Sequence, residues 1–190
     1  MHRAAAFLLL VLVAALAVSP GEVRAQRLGL ANMVLDNQGG RAKLRFGVDV
    51  RDPKLVEAVD QALRQGQVLA LECKARLSLK RDYLWNREVA QATLLSPLIL
   101  HDGGPYEVVL HRGGEERVRG RDLGLLMREA WNKLSIDLGA WSVLERGKAY
   151  AVTLEIRMVR QDVGDWLQGA LFFWGFDPVG PVTYQLDFSY

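Results

Sequence analysis

Over residues 41–50 the chain alternates, with Ala42, Leu44, Phe46, Val48 and Val50 on one side and Lys43, Arg45, Gly47 and Asp49 on the other. A period of two with one apolar side predicts a half-buried strand of an antiparallel sheet. Residues 27–36 are also strand-like, and the turn chemistry of Asn37-Gln38-Gly39-Gly40 joins the two runs as a hairpin. Asp52-Pro53 then opens a helix, because a carboxylate caps free N–H groups and proline fits the first helical position. Its apolar stripe is Leu55, Val56, Val59, Ala62 and Leu63, and Gly66 ends it. The cleanest strand follows over 69–79. Leu69, Leu71, Cys73, Ala75, Leu77 and Leu79 face a core, while Glu72, Lys74, Arg76, Ser78 and Lys80 face water.

The alternation over residues 85–96 is ragged, and Pro97, with no N–H for a ladder, is expected to stop that strand. Asp102-Gly103-Gly104-Pro105 reads as a loop. A strand over 106–110 turns at Gly113-Gly114 and returns through 116–119. Residues 122–138 carry the strongest helical signal: Leu123, Leu126, Met127, Ala130, Trp131, Leu134 and Leu138 recur at helical spacing. Burying that face contributes on the order of 10 kcal/mol at most, so the helix must dock on a sheet. Residues 148–160 alternate again, with Tyr150, Val152, Leu154, Ile156 and Met158 inward and Thr153, Glu155 and Arg157 outward. Residues 182–190 close the chain with Tyr184, Leu186, Phe188 and Tyr190 on one side. Two amphipathic helices among runs of antiparallel strands predict a β-rich α+β domain, an antiparallel sheet or sandwich of about seven or eight strands.

The first 25 residues follow a different rule. Met1-His2-Arg3 is a short basic start, residues 4–18 are unbroken apolar, and Pro20-Gly21 precede Val23-Arg24-Ala25. That order is a cleavable secretory signal, with cutting expected between Ala25 and Gln26. The apolar run is shorter than the roughly 20 residues needed to span a bilayer, and no cysteine stands at the cleavage point to take a lipid. The mature chain, residues 26–190, is therefore expected outside the cytoplasm as a single domain. Its length suffices for a packed core without staples. The sole cysteine, Cys73, cannot close an internal disulfide. The formal charge of the whole chain is +2, and losing Arg3, Arg24 and Glu22 with the leader lowers it to +1. That balance gives no electrostatic ground for a nucleic-acid partner.

Candidate chemistry is sparse. His101 and His111 remain after cleavage and, with Asp102, have no recognised ligand spacing, so neither a metal nor a cofactor is expected. Cys73 sits on the apolar side of a strand, where a thiol is an inert core group rather than a nucleophile. Lys74, Arg76, Lys80, Arg81, Arg157 and Arg160 could form a basic patch, but Glu72, Asp82 and Glu155 dilute it, and the plainer reading is a solvated sheet face. Residues 165–176 are different: Trp166, Leu167, Ala170, Leu171, Phe172, Phe173, Trp174 and Phe176 crowd a stretch holding one charge, Asp165. Such an excess is either a cap folded over the core or an exposed patch for an envelope protein or a membrane surface. Trp166, Phe172, Phe173, Trp174 and Phe176 are the candidate interaction surface.

The helix pattern Ala58-x-x-x-Ala62-Leu63-x-x-Gly66 running into a long strand, then Arg81-Asp82-Tyr83-Leu84-Trp85, Tyr106 at the next strand start and Arg121-Asp122-Leu123 at a helix start, resembles a bacterial family of exported proteins, domain-of-unknown-function family 4390. The resemblance spans most of the mature chain and rests on packing patterns. It implies an envelope location and an association with envelope sensing, and carries over no activity. The leading expectation is a non-catalytic envelope module that binds a protein or an apolar ligand. The alternatives are an outer-membrane component, suggested by the aromatic-ended last strand, and an enzyme of unrecognised type.

Overall fold

The computed structural model describes residues 28–82, 85–111, 114–161 and 181–190. In chain order it contains β1 (Gly29–Gln38), β2 (Arg41–Asp49), α1 (Pro53–Arg64), β3 (Leu69–Leu79), β4 (Arg87–Leu100), β5 (Tyr106–His111), β6 (Glu115–Gly120), α2 (Leu123–Trp131), β7 (Leu134–Ala140), β8 (Ala149–Arg160) and β9 (Val182–Ser189). All pairings are antiparallel. Three strands form one sheet in the order β1-β2-β7, and six form the other in the order β6-β5-β4-β3-β8-β9. The expected β-rich α+β architecture with two helices is the one observed.

Local chemistry explains several boundaries. Gly39 and Gly40 both have positive φ, 61° and 78°, which a two-residue hairpin turn of the right twist requires. They join Gln38 to its partner Arg41. Asp52 accepts from the Lys54 N–H at 3.0 Å and Pro53 starts α1, burying Leu55, Val59, Ala62 and Leu63. At the other end, the Gly66 N–H donates to Leu63 and the Gln67 N–H to Ala62, which satisfies the last carbonyls. β3 lies between β4 and β8. Leu71, Cys73, Ala75 and Leu77 on it are each 0% exposed, as the alternation requires.

Two sequence expectations are corrected. The helix expected over 122–138 stops at Trp131, and Leu134, Ile136 and Leu138 become the buried side of β7. Residues four apart satisfy both periods, so Leu134 and Leu138 fit either reading. Ile136 between them, flanked by polar Ser135 and Asp137, belongs to the strand alone. The far edge of β2 decides, since Phe46 pairs with Leu134 and Leu44 with Ile136. The switch brings α2 onto β2 so closely that a Cβ on Gly47 would sit 2.6 Å from the Asn132 carbonyl oxygen. The extra strand also raises the count to nine among the described residues.

Pro97 does not stop β4, which runs on to Leu100 and pairs with β3 on both sides of the proline. The ladder to β5 covers only Leu98, Ile99 and Leu100, so the proline stands where that partner leaves. A missing N–H is tolerated at such an unpaired edge. There the buried Ser96 hydroxyl donates to the Val109 carbonyl at 2.8 Å and accepts from Trp131 Nε1 at 2.9 Å. α2 is thereby tied to both strands. Among the described residues no helix is long and apolar enough to cross a membrane.

Candidate functional site

The candidate interaction surface, Trp166, Phe172, Phe173, Trp174 and Phe176, lies outside the described residues, as does the leader. Cys73 is buried in β3, and burial, reinforced by neighbouring Glu72, pushes its thiol far above the usual range. It is a core group with no nucleophilic character at neutral pH. His101 stands in the loop before β5, and His111 is the last residue of that six-residue strand, at its other end. Among the described residues no cluster of three or more His, Cys, Asp or Glu could hold a metal ion.

The charged faces resolve into pairs. Arg157 meets Glu72 at 2.5 Å, Arg76 meets Glu88 at 3.1 Å, and Lys80 meets Asp187 at 3.0 Å. Lys74 stands opposite Glu155 in the register of β3 and β8. This is a solvated face of mixed sign.

Two polar clusters escaped sequence reasoning. The Glu107 carboxylate is 0% exposed and is held by Arg119 at 2.5 Å, His101 at 3.2 Å and Arg117 at 3.3 Å. The hydrogen bond from Arg119 is the main cause of its lowered pKa, overcoming the burial that opposes ionisation. In sequence Glu107 is an ordinary outward residue, and only the β5–β6 register, Glu107 opposite Arg119, identifies its partner. In the second cluster the Tyr106 hydroxyl donates to Asp60, Arg64 Nη2 donates to that hydroxyl at 2.9 Å, and Arg64 Nε binds Asp60 at 2.8 Å. This trio ties α1 to β5. Arg117 also pairs with Glu115 at 2.6 Å, and both clusters act as joints of the fold.

Among the described residues there is also a half-open cavity of about 410 Å³, lined by Ala92, Thr93, Leu94 and Leu95 of β4, His111 of β5, and Ser135, Ile136 and Asp137 of β7. Successive side chains of a strand point to opposite faces. Four consecutive residues of one strand and three of another can therefore line a single space only if it looks along the strand edges. The topology supplies those edges. β4 has fourteen residues and β5 six, so β4 outruns its neighbour, and, among the described residues, residues 87–97 have no strand partner on the β5 side. β7 is the outermost strand of its sheet and comes near β4 without pairing to it. The only charged side chains on the wall belong to His111, when protonated, and Asp137. Asp137 is already engaged, since Arg41 donates to one carboxylate oxygen and the Gly139 N–H to the other. These contacts hold its pKa down, Arg41 foremost. The wall is thus small and nearly neutral, and among the described residues the β4 backbone behind it has no ladder partner on that side.

No curated protein and no solved structure matches the chain. A family model, however, matches residues 25–186, which extends from the expected cleavage point into β9 and takes in both sheets and both helices. The chain therefore belongs to the family described as Domain of unknown function (DUF4390).

Proposed function

We propose that the chain is a non-catalytic envelope module, exported to the periplasm, that binds a protein segment or an apolar ligand. The observation that carries the binding half is the cavity of about 410 Å³ along the β4 and β7 edges, which is within the usual size of ligand sites and lined by uncharged side chains on most of its wall. The burial of Cys73 supports a binding role over nucleophilic catalysis. Export is supported by the three-part leader over residues 1–25. The aromatic residues Trp166, Phe172, Phe173, Trp174 and Phe176 belong to the proposal as a second contact surface for a protein or membrane.

The compartment is tested by sequencing the N-terminus of the protein recovered from envelope extracts, with Gln26 expected as the first residue. A chain starting at Met1 would overturn export. The site is tested with the apolar dye 1-anilinonaphthalene-8-sulfonate. Saturable fluorescence enhancement is expected for the folded wild type and its loss in Ser135→Trp, where an exposed side chain is enlarged to fill the cavity. Equal enhancement in both would remove the cavity from the reading.

A further inference from the structure

We infer that one end of the six-stranded sheet, centred on Trp85, is a membrane-docking rim that seats on an anionic lipid bilayer surface. Its residues are other than those of the cavity and of the 166–176 segment, so the site goes beyond the binding role proposed above.

The strand register brings the rim together. Leu79 pairs with Arg87 on one side and with Tyr150 on the other, and Tyr150 pairs with Phe188. These four residues lie level across β4, β3, β8 and β9, so the residues beyond them share one rim about 14 Å wide at roughly 4.8 Å per strand step. Beyond them are residues 80–82 and 85–86 of the β3–β4 turn, 145–148 before β8, and Tyr190 after β9. The Lys80 N–H donates to the Ala149 carbonyl at 2.9 Å and the Tyr190 N–H to the Lys148 carbonyl at 3.0 Å, which fixes the three segments to one another. The short helical turn Trp141–Val143 joins them, since Trp141 meets Tyr190 edge to face with ring centres 5.6 Å apart.

Single exposed apolar side chains are ordinary on a protein surface, whereas a cluster of them marks a contact site. Of the six large hydrophobic residues exposed among the described residues, Trp85 at 94%, Val143 at 45% and Tyr190 at 37% stand on this rim. The other three, Val34, Val68 and Leu125, are scattered over β1, the segment before β3, and α2. Cations interleave with the aromatic residues. Lys80 is matched by Asp187 and Arg87 by Glu145. Arg81, Arg146 and Lys148 then stand exposed against one further exposed carboxylate, Asp82, which leaves the rim positive.

That mixture selects lipid over protein. Protein interfaces favour tryptophan and tyrosine but shed lysine. The membrane–water interface holds tryptophan and tyrosine at headgroup depth, with lysine and arginine reaching the phosphates beside them. Anionic headgroups supply the complementary charge, and a projecting turn meets a flat surface without needing a groove to receive it.

The test is sedimentation of the processed protein with vesicles of mixed phosphatidylglycerol and phosphatidylcholine, and with vesicles of phosphatidylcholine alone. Binding is expected to the anionic vesicles, and it should weaken as salt rises from about 0.1 to about 1 M. One cation beside such a surface is worth about a fivefold gain in partition, so Arg146→Gln combined with Lys148→Gln should lower binding on the order of twentyfold. Trp85→Ser should lower it at least about fivefold. All three side chains are exposed, so Tm should not move. Asn86→Cys carrying an environment-sensitive dye reads the rim directly, because Cys73 is buried, and its emission should shift to the blue on anionic vesicles. Undiminished binding of Trp85→Ser, or a dye at position 86 that does not respond, would overturn the assignment and place the vesicle contact elsewhere, the 166–176 segment included. Equal binding to the two kinds of vesicle would overturn the anionic preference. Absence of vesicle binding by the wild type would overturn the site, and if Trp85→Ser then dissociates a dimer seen by sedimentation equilibrium, the rim faces a second copy of this chain.

Discussion

Replacing Ser96 with Ala removes one hydroxyl that serves two buried groups. Trp131 Nε1 donates to Ser96 Oγ at 2.9 Å, and Oγ donates to the Val109 carbonyl at 2.8 Å. Trp131 is 0% exposed and Ser96 1%, so water cannot replace the lost partner without reorganising the core. A buried polar group left unpaired costs about 1–3 kcal/mol. The indole N–H has a single acceptor and falls in the middle of that range. The carbonyl has a second lone pair and falls at the bottom. Together they give about 2–4 kcal/mol, which for a domain of this size lowers Tm by roughly 5–15 °C. Urea unfolding followed by tryptophan fluorescence and by far-UV circular dichroism measures the loss. Thr93→Ala, on the exposed side of the same strand, should stay within about 0.5 kcal/mol of wild type. In a Trp131→Phe background the donor is already gone, so Ser96→Ala should cost about 1–2 kcal/mol less than in the wild type. A cost below about 0.5 kcal/mol, or full additivity of the two changes, would refute the argument that this relay is a dry, obligatory joint.

Gly47→Ala should lose at least about 1–3 kcal/mol in the same assay, because the new methyl meets backbone, the Asn132 carbonyl, at 2.6 Å. Wild-type stability after this change would mean that α2 is not seated on β2 as described. Cys73 should react with a thiol reagent far more slowly in the folded than in the denatured chain, and Cys73→Asp should cost at least about 4 kcal/mol, since a carboxylate there has no partner; equal labelling rates would place the residue at the surface. The Glu107 carboxyl titrates below its ordinary 4.5 in the folded state, so its contribution is present above that value and is lost as pH falls through the lowered one. Stability measured from pH 6 to pH 2 should therefore fall less steeply in Glu107→Gln than in wild type, and parallel curves would contradict the arginine-held carboxylate. Serine at both 172 and 173 should leave Tm nearly unchanged if Phe172 and Phe173 form the proposed surface, whereas a loss approaching about 3–5 kcal/mol for each would make them core.

Local signals carried most of the elements. The side-chain alternation of β3 and β8, the capping of α1 by Asp52 and its end at Gly66 are set by neighbours within a turn or two, and the fold repeats them. Errors arose where a distant element chose between two local options. Leu134 and Leu138 satisfied helix and strand spacing alike, and pairing with β2 selected the strand. Pro97 would break a strand paired on both sides, yet among the described residues β4 is paired only with β3 along most of its length, so the proline is harmless. The buried charge of Glu107 was invisible for the same reason. Its three partners come from the loop before β5 and from β6, and no spacing along the chain announces them.

The cavity lies furthest from what a linear pattern encodes, because an open edge is a property of strand order and relative strand length. Both lengths left traces. The ragged run over 85–96 is longer than the strand over 106–110, and the difference leaves β4 projecting past β5. The raggedness itself has a cause in the fold. Ala92 and Leu94 face the core, while Thr93 and Leu95 on the opposite face carry no charge, so the polar half of the alternation that marks a solvated strand is missing there. On β3, facing the same solvent, Glu72, Lys74 and Arg76 keep that polar half intact. The charge-free run of β4, residues 89–100, covers both the stretch paired with β5 and most of the stretch beyond it, while Arg87 and Glu88 keep the far end charged.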